Sequence, residues 1–391
     1  MSCTIILPRI MEIGKEACEK LPNIMATLGV SKPLIVTDKM MVQLNYVQAI
    51  QEILAPHEIH SEVYADTIPE PTDSSIMAGV NMLQAGDFDC IIALGGGSPI
   101  DSAKAIGVLG KFGGVIRDYK FPRQVNEESI PIIAIPTTAG TGTEATKFTI
   151  ITDEKSNEKL LCVGTAFMPI ATIIDYTLTF SVPPRTTADT GIDAMCHAIE
   201  AYVSQKRNAY SDQQCLAALR LIGPNIKAAY HDGDDRMARE QMMLGATLAG
   251  IAFSNSSVAL VHGMSRPIGA FFHVPHGLSN AMLLPIVTEF SIPLAAARYA
   301  ECSVALGVAN ESDGIAQANL KLIQFLKDLN KELKVPTLAE FGVDKAEFDR
   351  VLETMVEQAF ASGSPNNNPR VPNKQEMRNL YERLWYTPLN P

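Results

Sequence analysis

Charged residues are scarce in this chain, and positive charge is scarcer than negative charge. Only 19% of the 391 residues are charged, compared with roughly 25% in average globular proteins. The 43 acidic residues outnumber the 32 basic ones, which gives a net charge of −11. Because a nucleic-acid-binding protein needs a cationic face to displace counterions from phosphates, this composition argues against nucleic acid as a partner. The 47% of hydrophobic residues instead predict large buried cores or a buried subunit interface.

The chain also lacks the sequence marks of export, disulfide bonding and a membrane span. Its seven cysteines are odd in number and none forms a CxxC pair, which predicts reduced, buried thiols and a cytoplasmic protein. The N-terminus has no basic stretch followed by an apolar core, as a signal peptide would have. No apolar run approaches the roughly 20 residues that cross a bilayer, so we predict no membrane association.

The residues that are present divide the chain into two halves of different character. In the first half, apolar runs of strand length alternate with stretches of helical spacing, in the order strand 32–38, helix 41–54, strand 58–64, helix 73–84, strand 89–94 and strand 130–135. This alternation predicts βαβ units, a parallel sheet and helices on both of its faces. Strands at 147–152, 159–163 and 171–175 follow, and the remainder is helical in pattern. We therefore predict an α/β domain over 1–183 and an all-α domain over 184–391.

A run of three glycines, Gly95, Gly96 and Gly97, lies between a predicted strand and a predicted helix. Glycine lets the backbone approach a phosphate closely, and the helix N-terminus attracts the anion. The spacing is not the GxGxxG fingerprint of Rossmann folds, and Ser98 and Pro99 are predicted as helix cap and first helical residue. The alternative is a tight turn without a ligand. Three ordered glycines cost backbone entropy, which favours the phosphate site.

Two further features follow predicted strands. Asp38 ends the strand 32–38, where an acid can hydrogen-bond the adenosine ribose and repel a 2′-phosphate, which favours NAD over NADP. An acid at a strand end is, however, more often a helix cap. Residues 136–144 supply several hydroxyl groups and flexible backbone after another buried strand, at the sheet edge where ligands of open α/β sheets bind. The alternative for this segment is a simple capped loop.

Three of the seven histidines lie in apolar surroundings of the helical half. Asp193 and His197 are four residues apart in a predicted helix over 188–203, so they project from one face. His262 ends an apolar helical run, and His276 lies at a helix break. One carboxylate and three imidazoles are a ligand set for Fe²⁺, Zn²⁺ or Mn²⁺. Each histidine alone is more often a packing residue, and spacing alone cannot join the pair to the other two.

Five segments, taken in their order along the chain, together resemble the iron-containing, group III alcohol dehydrogenases, and the resemblance covers nearly the whole chain. The segments are residues 95–101, 136–144, 190–202, 261–264 and 275–281. The resemblance implies an N-terminal dinucleotide-binding domain, an all-α C-terminal domain, a dehydroquinate synthase-like fold, a divalent metal between the domains and usually a homodimer. It assigns the metal ligands to Asp193, His197, His262 and His276. It assigns nucleotide contacts to Asp38, Gly95, Gly96, Gly97, Ser98, Asp101, Thr137, Thr138 and Thr141, with weaker ones at Lys159 and Leu178.

One position departs from the family pattern. Many members carry a second histidine four residues after the one that matches His262, and it is thought to assist proton movement; this chain has Arg266. His273, three residues before His276, is a candidate replacement, with a packing or surface role as the alternative. Arg266 could instead hold an anionic group of a substrate through two hydrogen bonds. Arg370 is a conceivable second anchor, although an ordinary surface role is favoured.

The resemblance implies reversible hydride transfer between NAD and a primary alcohol or aldehyde, with Fe²⁺ as the expected metal. Arg266 favours an aldehyde that bears a carboxylate, sulfonate or phosphonate, whereas a small neutral aldehyde is typical of the family. The alternative is a lyase or cyclase that uses NAD transiently, as dehydroquinate synthases do, but the expected cleft region offers few basic residues for its substrate, essentially Arg266 and Arg370. A non-enzymatic nucleotide-binding protein is the third reading, and the complete ligand set argues against it. Cys196 is predicted to face away from His197 into the core.

Overall fold

A parallel sheet organises the N-terminal part of the computed structural model, which describes residues 2–386. The chain divides into two compact units, residues 4–182 and the residues from Pro183 onwards. The strands described in the first unit are β1 Ile10–Ile13, β2 Pro33–Val36, β3 Glu62–Tyr64, β4 Cys90–Gly95, β5 Ile132–Pro136, β6 Phe148–Asp153, β7 Glu158–Val163 and β8 Ala171–Ile174. Six of them form an all-parallel sheet in the order β1-β8-β5-β4-β2-β3, and β6 and β7 form an antiparallel hairpin.

Both faces of the sheet are covered, which explains why its inner strands are continuous apolar runs. The helices of this unit are α1 Leu21–Leu28, α2 Lys39–Gln43, α3 Tyr46–Leu54, α4 Asp73–Ala85 and α5 Gly97–Phe112. Alternate residues of a strand point to opposite faces. Ile91 and Ala93 of β4 therefore pack with α4 and α5, whereas Ile92 and Leu94 pack with α1 and α3. The predicted parallel sheet with helices on both faces is confirmed.

Several predicted element boundaries are wrong for local backbone reasons. The helix over 41–54 is two helices, because Asn45 between them adopts a left-handed conformation with φ 60°. The strand over 58–64 begins only at Glu62, after Glu58 has turned the chain with φ 59°. β1 was not predicted from the sequence, since it is a four-residue edge strand with no buried residue.

The start of α5 also differs from the prediction. Its N-cap is Gly96, and the helix begins at Gly97, so Ser98 and Pro99 are its second and third residues. Gly95 turns the chain with φ 142°, a value that favours glycine, and a Cβ at this position would come within 2.7 Å of the Pro99 ring. The glycines therefore form the turn and the first helical residue together.

From Pro183 to Tyr386 the described chain is helical and contains no strand. Its α-helices are α6 Pro184–Val203, α7 Ala209–His231, α8 Arg236–Asn255, α9 Leu260–Phe272, α10 His276–Ala305, α11 Ile315–Glu332, α12 Leu338–Phe341, α13 Lys345–Ala361 and α14 Lys374–Tyr386. The long helix α6 packs against α7, α8 and α10, and α10 also packs against α9 and α11. This arrangement places α6 at the centre of the unit, next to the two helices that carry the remaining predicted metal ligands.

Helix α10 is long and apolar enough to cross a membrane by length and mean composition, although the sequence has no uninterrupted apolar run of about 20 residues. It has 30 residues and an 18-residue window with mean hydropathy 1.4, and 56% of that window is buried inside the protein. Two helices are joined in it across a kink at Ala295, where φ is −145°, and this merger gives the length that the sequence did not indicate. Its packing against α6, α9 and α11 is that of a core helix.

The cysteines follow the predicted pattern with one exception. All seven are free thiols, and six are buried. Cys3 is exposed, because it lies in the irregular segment before β1 rather than in a helix or strand. The prediction of buried thiols is therefore wrong for Cys3.

Candidate metal centre and nucleotide edge

Helix α6 carries the first two predicted metal ligands on one face. Pro184 occupies the first turn, where its missing N–H costs nothing, and the helix then runs for 20 residues through a buried environment. Asp193 and His197 lie four residues apart, so both project from the same face, and the distance from Asp193 Oδ1 to His197 Nε2 is 3.8 Å. Both side chains are at most 5% exposed, which leaves them facing other protein groups or a bound ion.

The next two elements bring the remaining predicted ligands to this pair. His262 is the third residue of α9 and His276 is the first residue of α10. Asp193 Oδ1 lies 3.5 Å from His262 Nε2 and 3.8 Å from His276 Nε2. One ligating atom from each of the four residues lies within 4.8 Å of the others. Only His276 is substantially open, with 32% of its side chain exposed, so the cluster is accessible from that side.

The charges within the cluster are strongly coupled. Burial disfavours a charge on His262, but the carboxylates of Asp193 and Glu200 outweigh burial and raise the pKa of His262 to about 9. Burial acts to raise the pKa of Asp193, but His197, His276 and His262 outweigh it and hold that pKa well below its ordinary value. The site therefore contains an ionised carboxylate beside the His262 imidazole, whose raised pKa favours its protonated form, and a divalent cation can occupy such a site by displacing the proton.

Two side chains that were not predicted belong to the same cluster. Glu200 Oε2 lies 2.6 Å from His262 Nδ1, on the ring nitrogen opposite the ligating one. Asn280 Nδ2 donates to Asp193 Oδ1 at 2.6 Å and lies 3.1 Å from His262 Nε2. The sequence held a signal for both, because Glu200 is three residues after His197 and Asn280 is four residues after His276, each on the face of a ligand.

Cys196 lies in the core as predicted, and it also lies beside a proposed metal ligand from another helix. It is fully buried, but its Sγ lies 3.9 Å from His262 Nδ1. The prediction considered only the direction of Cys196 relative to its neighbour His197 on the same helix. Packing of α9 against α6 places His262 beside it, a tertiary contact that helical spacing does not encode.

The predicted nucleotide contacts follow strand ends at one edge of the parallel sheet. Asp38 follows β2, the glycine turn 95–97 follows β4, Thr137 follows β5, and Leu178 lies in the short helix after β8. The connections run outward from β2 to β3 and then return to β4 on the other side of β2, so β2 and β4 form a switch point of the sheet. Open α/β sheets bind ligands at such a point.

The glycine turn and the threonine loop lie against each other. A Cβ on Gly96 would lie 3.3 Å from Thr138 Cγ2, and a Cβ on Gly97 would lie 2.8 Å from Thr141 Cγ2. Part of the reason for these glycines is therefore the close approach of the loop. Asp38 accepts a hydrogen bond from Met41 N at 3.0 Å, so it caps α2, as the alternative reading of the sequence held.

Other predicted nucleotide contacts are already engaged within this unit. Asp101 accepts hydrogen bonds from Thr143 Oγ1 at 2.6 Å and from Ile150 N at 3.2 Å. Ser98 and Lys159, two further predicted nucleotide contacts, both interact with Glu70. The Glu70 N–H donates to Ser98 Oγ at 3.2 Å, and the Glu70 carboxylate pairs with Lys159 Nζ at 2.9 Å. The Leu178 carbonyl accepts from the Tyr46 hydroxyl at 3.2 Å.

The basic and proton-carrying candidates differ in their surroundings. Arg266 is 9% exposed, and among the groups described for residues 2–385 none forms a hydrogen bond or an ion pair with its guanidinium. Burial lowers the pKa of Arg266 to about 10, against the opposing effect of the Glu200 charge. His273 is exposed and ends α9 with φ 54°. Arg370 pairs with Glu376 at 2.8 Å and stacks on Phe290, contacts that fit the favoured surface role.

The chain belongs to the iron-containing alcohol dehydrogenase family. Residues 8–176 match the family described as iron-containing alcohol dehydrogenase, and residues 187–385 match the C-terminal part of the Fe-containing alcohol dehydrogenase family. The chain is 34% identical to the NADPH-dependent butanol dehydrogenase of Clostridium saccharobutylicum over 385 residues, 97% of each chain. It is 33% identical to the lactaldehyde reductase of Escherichia coli (strain K12) over 389 residues, which cover 98% of this chain and 100% of the other.

Solved structures agree with this assignment. The structure of a 1,3-propanediol oxidoreductase superposes with a TM-score of 0.93 at 29% identity, covering 98% of this chain and 100% of the other. The chain is thus an oxidoreductase of the alcohol dehydrogenase and aldehyde reductase type, and the lyase or cyclase alternative has no support. Family membership implies a bound metal and a nicotinamide dinucleotide.

Proposed function

We propose that the enzyme transfers hydride reversibly between NAD and a primary alcohol or aldehyde, with a divalent metal held by Asp193, His197, His262 and His276. The observation that carries the proposal is the convergence of four ligating atoms within 4.8 Å in a largely buried site. One carboxylate and three imidazoles suit Fe²⁺, Zn²⁺ or Mn²⁺, and the family name favours Fe²⁺. Such a metal would supply Lewis-acid chemistry, polarising a carbonyl or lowering the pKa of an alcohol.

The residues around this site have separable tasks in the proposal. Asp193 supplies the only carboxylate among the four ligands and so offsets part of the cation's charge. The partly exposed side of His276 leaves a direction of approach for the substrate. His273 is the proposed proton carrier, because its imidazole is exposed and lies three residues from His276. A cytoplasmic homodimer completes the proposal, supported by the family resemblance and the low charge.

The nucleotide part of the proposal rests on the edge after β2, β4 and β5. Its proposed contacts are Asp38, Gly95, Gly96, Gly97, Ser98, Asp101, Thr137, Thr138 and Thr141, with Lys159 and Leu178 beside them. Asp38 carries the preference for NAD, since its charge would repel a 2′-phosphate. The relative from C. saccharobutylicum is named as NADPH-dependent, so the NAD preference proposed for this chain does not extend to the whole family.

Replacing Asp38 by glycine is expected to raise kcat/KM for NADPH relative to NADH by at least about 10-fold, because the variant removes a charge worth about 1.4 kcal/mol against the 2′-phosphate. Steady-state oxidation of each coenzyme measures the ratio. Asp87→Asn is the matched control, because this exposed acid precedes β4, at the opposite end of the strand from the glycine turn. An unchanged ratio in Asp38→Gly would leave Asp38 as a helix cap only.

The substrate part of the proposal rests on Arg266. Arg266 is only 9% exposed, so its guanidinium has lost much of its hydration, and no group described for residues 2–385 pairs with that guanidinium. It lies one helical turn after His262 on α9, hence on the face of a proposed metal ligand. A carboxylate, sulfonate or phosphonate on the substrate would supply the missing bidentate partner. We therefore propose an aldehyde that carries an anionic group as the preferred substrate.

Oxidation of NADH by the Fe²⁺-reconstituted enzyme tests this proposal directly, with propanal compared with succinic semialdehyde and sulfoacetaldehyde. We expect kcat/KM for an anionic aldehyde to exceed that for propanal by at least about 100-fold, which corresponds to about 2.7 kcal/mol. Arg266→Ala is expected to remove the difference, whereas Arg220→Ala, at an exposed arginine of α7, is expected to leave it. Equal or better use of propanal by the wild type would restrict Arg266 to a structural role.

A further inference from the structure

Glu200 is a buried carboxylate that no part of the predicted site explains. It is 2% exposed and lies on α6, seven residues after Asp193 and three after His197. Its Oε1 accepts a hydrogen bond from Val261 N at 2.6 Å, and its Oε2 accepts from Ala259 N at 3.1 Å. The hydrogen bonds to this buried carboxylate thus come from backbone N–H groups at the start of a different helix, α9.

The same carboxylate replaces the missing cap of α9. The N-cap residue Ala259 has no side chain that can accept a hydrogen bond, so the first N–H groups of the helix need another acceptor. Glu200 supplies it to Val261 N and also to His262 N at 3.4 Å. A negative charge is favourable at a helix N-terminus, where the free N–H groups carry partial positive charge.

Glu200 also determines which nitrogen of His262 carries hydrogen. An ionised carboxylate can only accept hydrogen bonds, so the ring must donate from Nδ1 across the 2.6 Å contact. In the neutral ring, Nε2 then carries the lone pair, and Nε2 is the atom that lies 3.5 Å from Asp193 Oδ1. Cys196 Sγ lies near the same Nδ1, but at 3.9 Å a thiol is a weak competitor for that hydrogen.

We propose that Glu200 is a positioning residue for the metal centre: by capping α9 and accepting from His262 Nδ1, it holds His262 with its Nε2 lone pair towards the other three ligands. This inference rests on the proposed metal-dependent function. Through its one carboxylate, Glu200 joins α6, which supplies two of the proposed ligands, to α9, which supplies a third. A partner of this kind raises the basicity of an imidazole ligand and fixes its orientation, and its loss usually costs 10–100-fold in metal affinity.

The test compares Glu200→Gln and Glu200→Asp with the wild type in metal binding rather than turnover alone. Competition with a chelator for Co²⁺ gives the dissociation constant, and the visible absorption of bound Co²⁺ reports the ligand geometry. We expect Glu200→Gln to weaken Co²⁺ binding by about 10–100-fold. The reason is that the glutamine side chain carries an N–H₂ group where Glu200 has an oxygen, and this group would face N–H donors of α9 and His262. Glu200→Asp keeps the charge and is expected to recover part of the affinity.

A spectroscopic measurement separates positioning from simple helix capping. The chain has seven histidines, so ¹⁵N-histidine labelling of the Zn²⁺-loaded protein is expected to resolve the His262 tautomer. The wild type should show hydrogen on Nδ1 and metal on Nε2, and Glu200→Gln should change this signature. Wild-type affinity and tautomer in both variants would overturn the inference and leave Glu200 as a cap. If Glu200→Gln does not fold, Glu200→Asp decides by the same criteria.

Two controls make the outcomes separable. Glu289→Gln removes an exposed carboxylate of α10, and it is expected to bind Co²⁺ with wild-type affinity. If the wild type itself binds no Co²⁺ or Zn²⁺, the proposed function fails. If the wild type binds metal and both Glu200 variants show wild-type Co²⁺ affinity and His262 tautomer, the inference about Glu200 fails while the proposed function stands.

Discussion

Replacing His276 by alanine is expected to abolish tight metal binding and to lower kcat/KM on the order of 10³-fold, or about 4 kcal/mol. His276 is the best of the four proposed ligands for this test, because 32% of its side chain is exposed whereas the other three are at most 5% exposed. Its removal therefore costs little packing. A loss of activity in a folded protein can then be assigned to the metal centre rather than to the core.

The measurements are metal content after dialysis, unfolding temperature with and without added Fe²⁺ or Zn²⁺, and steady-state kinetics. A metal that binds only the folded state stabilises it by about 2.7 kcal/mol at a concentration of 100 times its Kd, so the wild type should gain stability and His276→Ala should not. His60→Ala, at an exposed histidine of the other unit, is the control. One equivalent of metal and normal turnover in His276→Ala would contradict the proposed site.

Much of the fold could be predicted because buried parallel strands leave a plain signal. β4 and β5 are continuous apolar runs, since both of their faces are covered, and the helices between strands show their own periodicity. The failures occur where tertiary context decides. Edge strand β1 pairs with β8, more than 150 residues later in sequence, and its own residues give little indication of this. The kinked helix α10 is long only because two helices join end to end at Ala295.

The proposed metal ligands likewise include residues that could be paired from the sequence and residues that could not. Asp193 and His197 could be paired from helical spacing alone, whereas His262 and His276 join them only through the packing of α9 and α10, so sequence reasoning needed the family resemblance. Glu200 shares their helix face, but helical spacing alone does not distinguish it from a solvated glutamate. Whether a buried arginine such as Arg266 lacks a partner is likewise invisible in sequence, because it depends on every side chain packed around it.

The second large effect that we expect follows from replacing Lys104, which lies on α5 in the N-terminal unit. Its side chain is completely buried, and burial lowers the pKa of Lys104 to about 8, against the opposing charges of Asp101 and Glu144. Nζ donates to Thr143 O at 2.7 Å and to Thr146 O at 2.9 Å, and also to Phe148 O at 2.7 Å. The hydroxyls of both threonines lie within 3.1 Å as well. One ammonium group thus fastens the end of the threonine loop and the start of β6 to α5.

Lys104→Met is expected to lower the free energy of unfolding of this unit by at least about 3 kcal/mol, since hydrogen bonds to a charged donor contribute about 1.5–3 kcal/mol each and their buried acceptors would be left unpaired. For a unit of this size, that loss corresponds to roughly 6–12 °C in unfolding temperature. Lys111→Met, at an exposed position on the same helix, is the matched control and should change neither quantity appreciably.

Lys104→Met should also weaken NAD binding at least about 10-fold, a free-energy difference of about 1.4 kcal/mol. The reason is that the loop it fastens carries Thr137, Thr138 and Thr141, which must be ordered on binding if Lys104 no longer orders them beforehand. Titration of NAD by protein fluorescence or calorimetry below the unfolding temperature measures this. Co²⁺ affinity, which depends on residues of the helical unit, should stay at the wild-type value. A stability loss with unchanged NAD affinity would show that Lys104 supports the fold of this unit without organising its nucleotide edge.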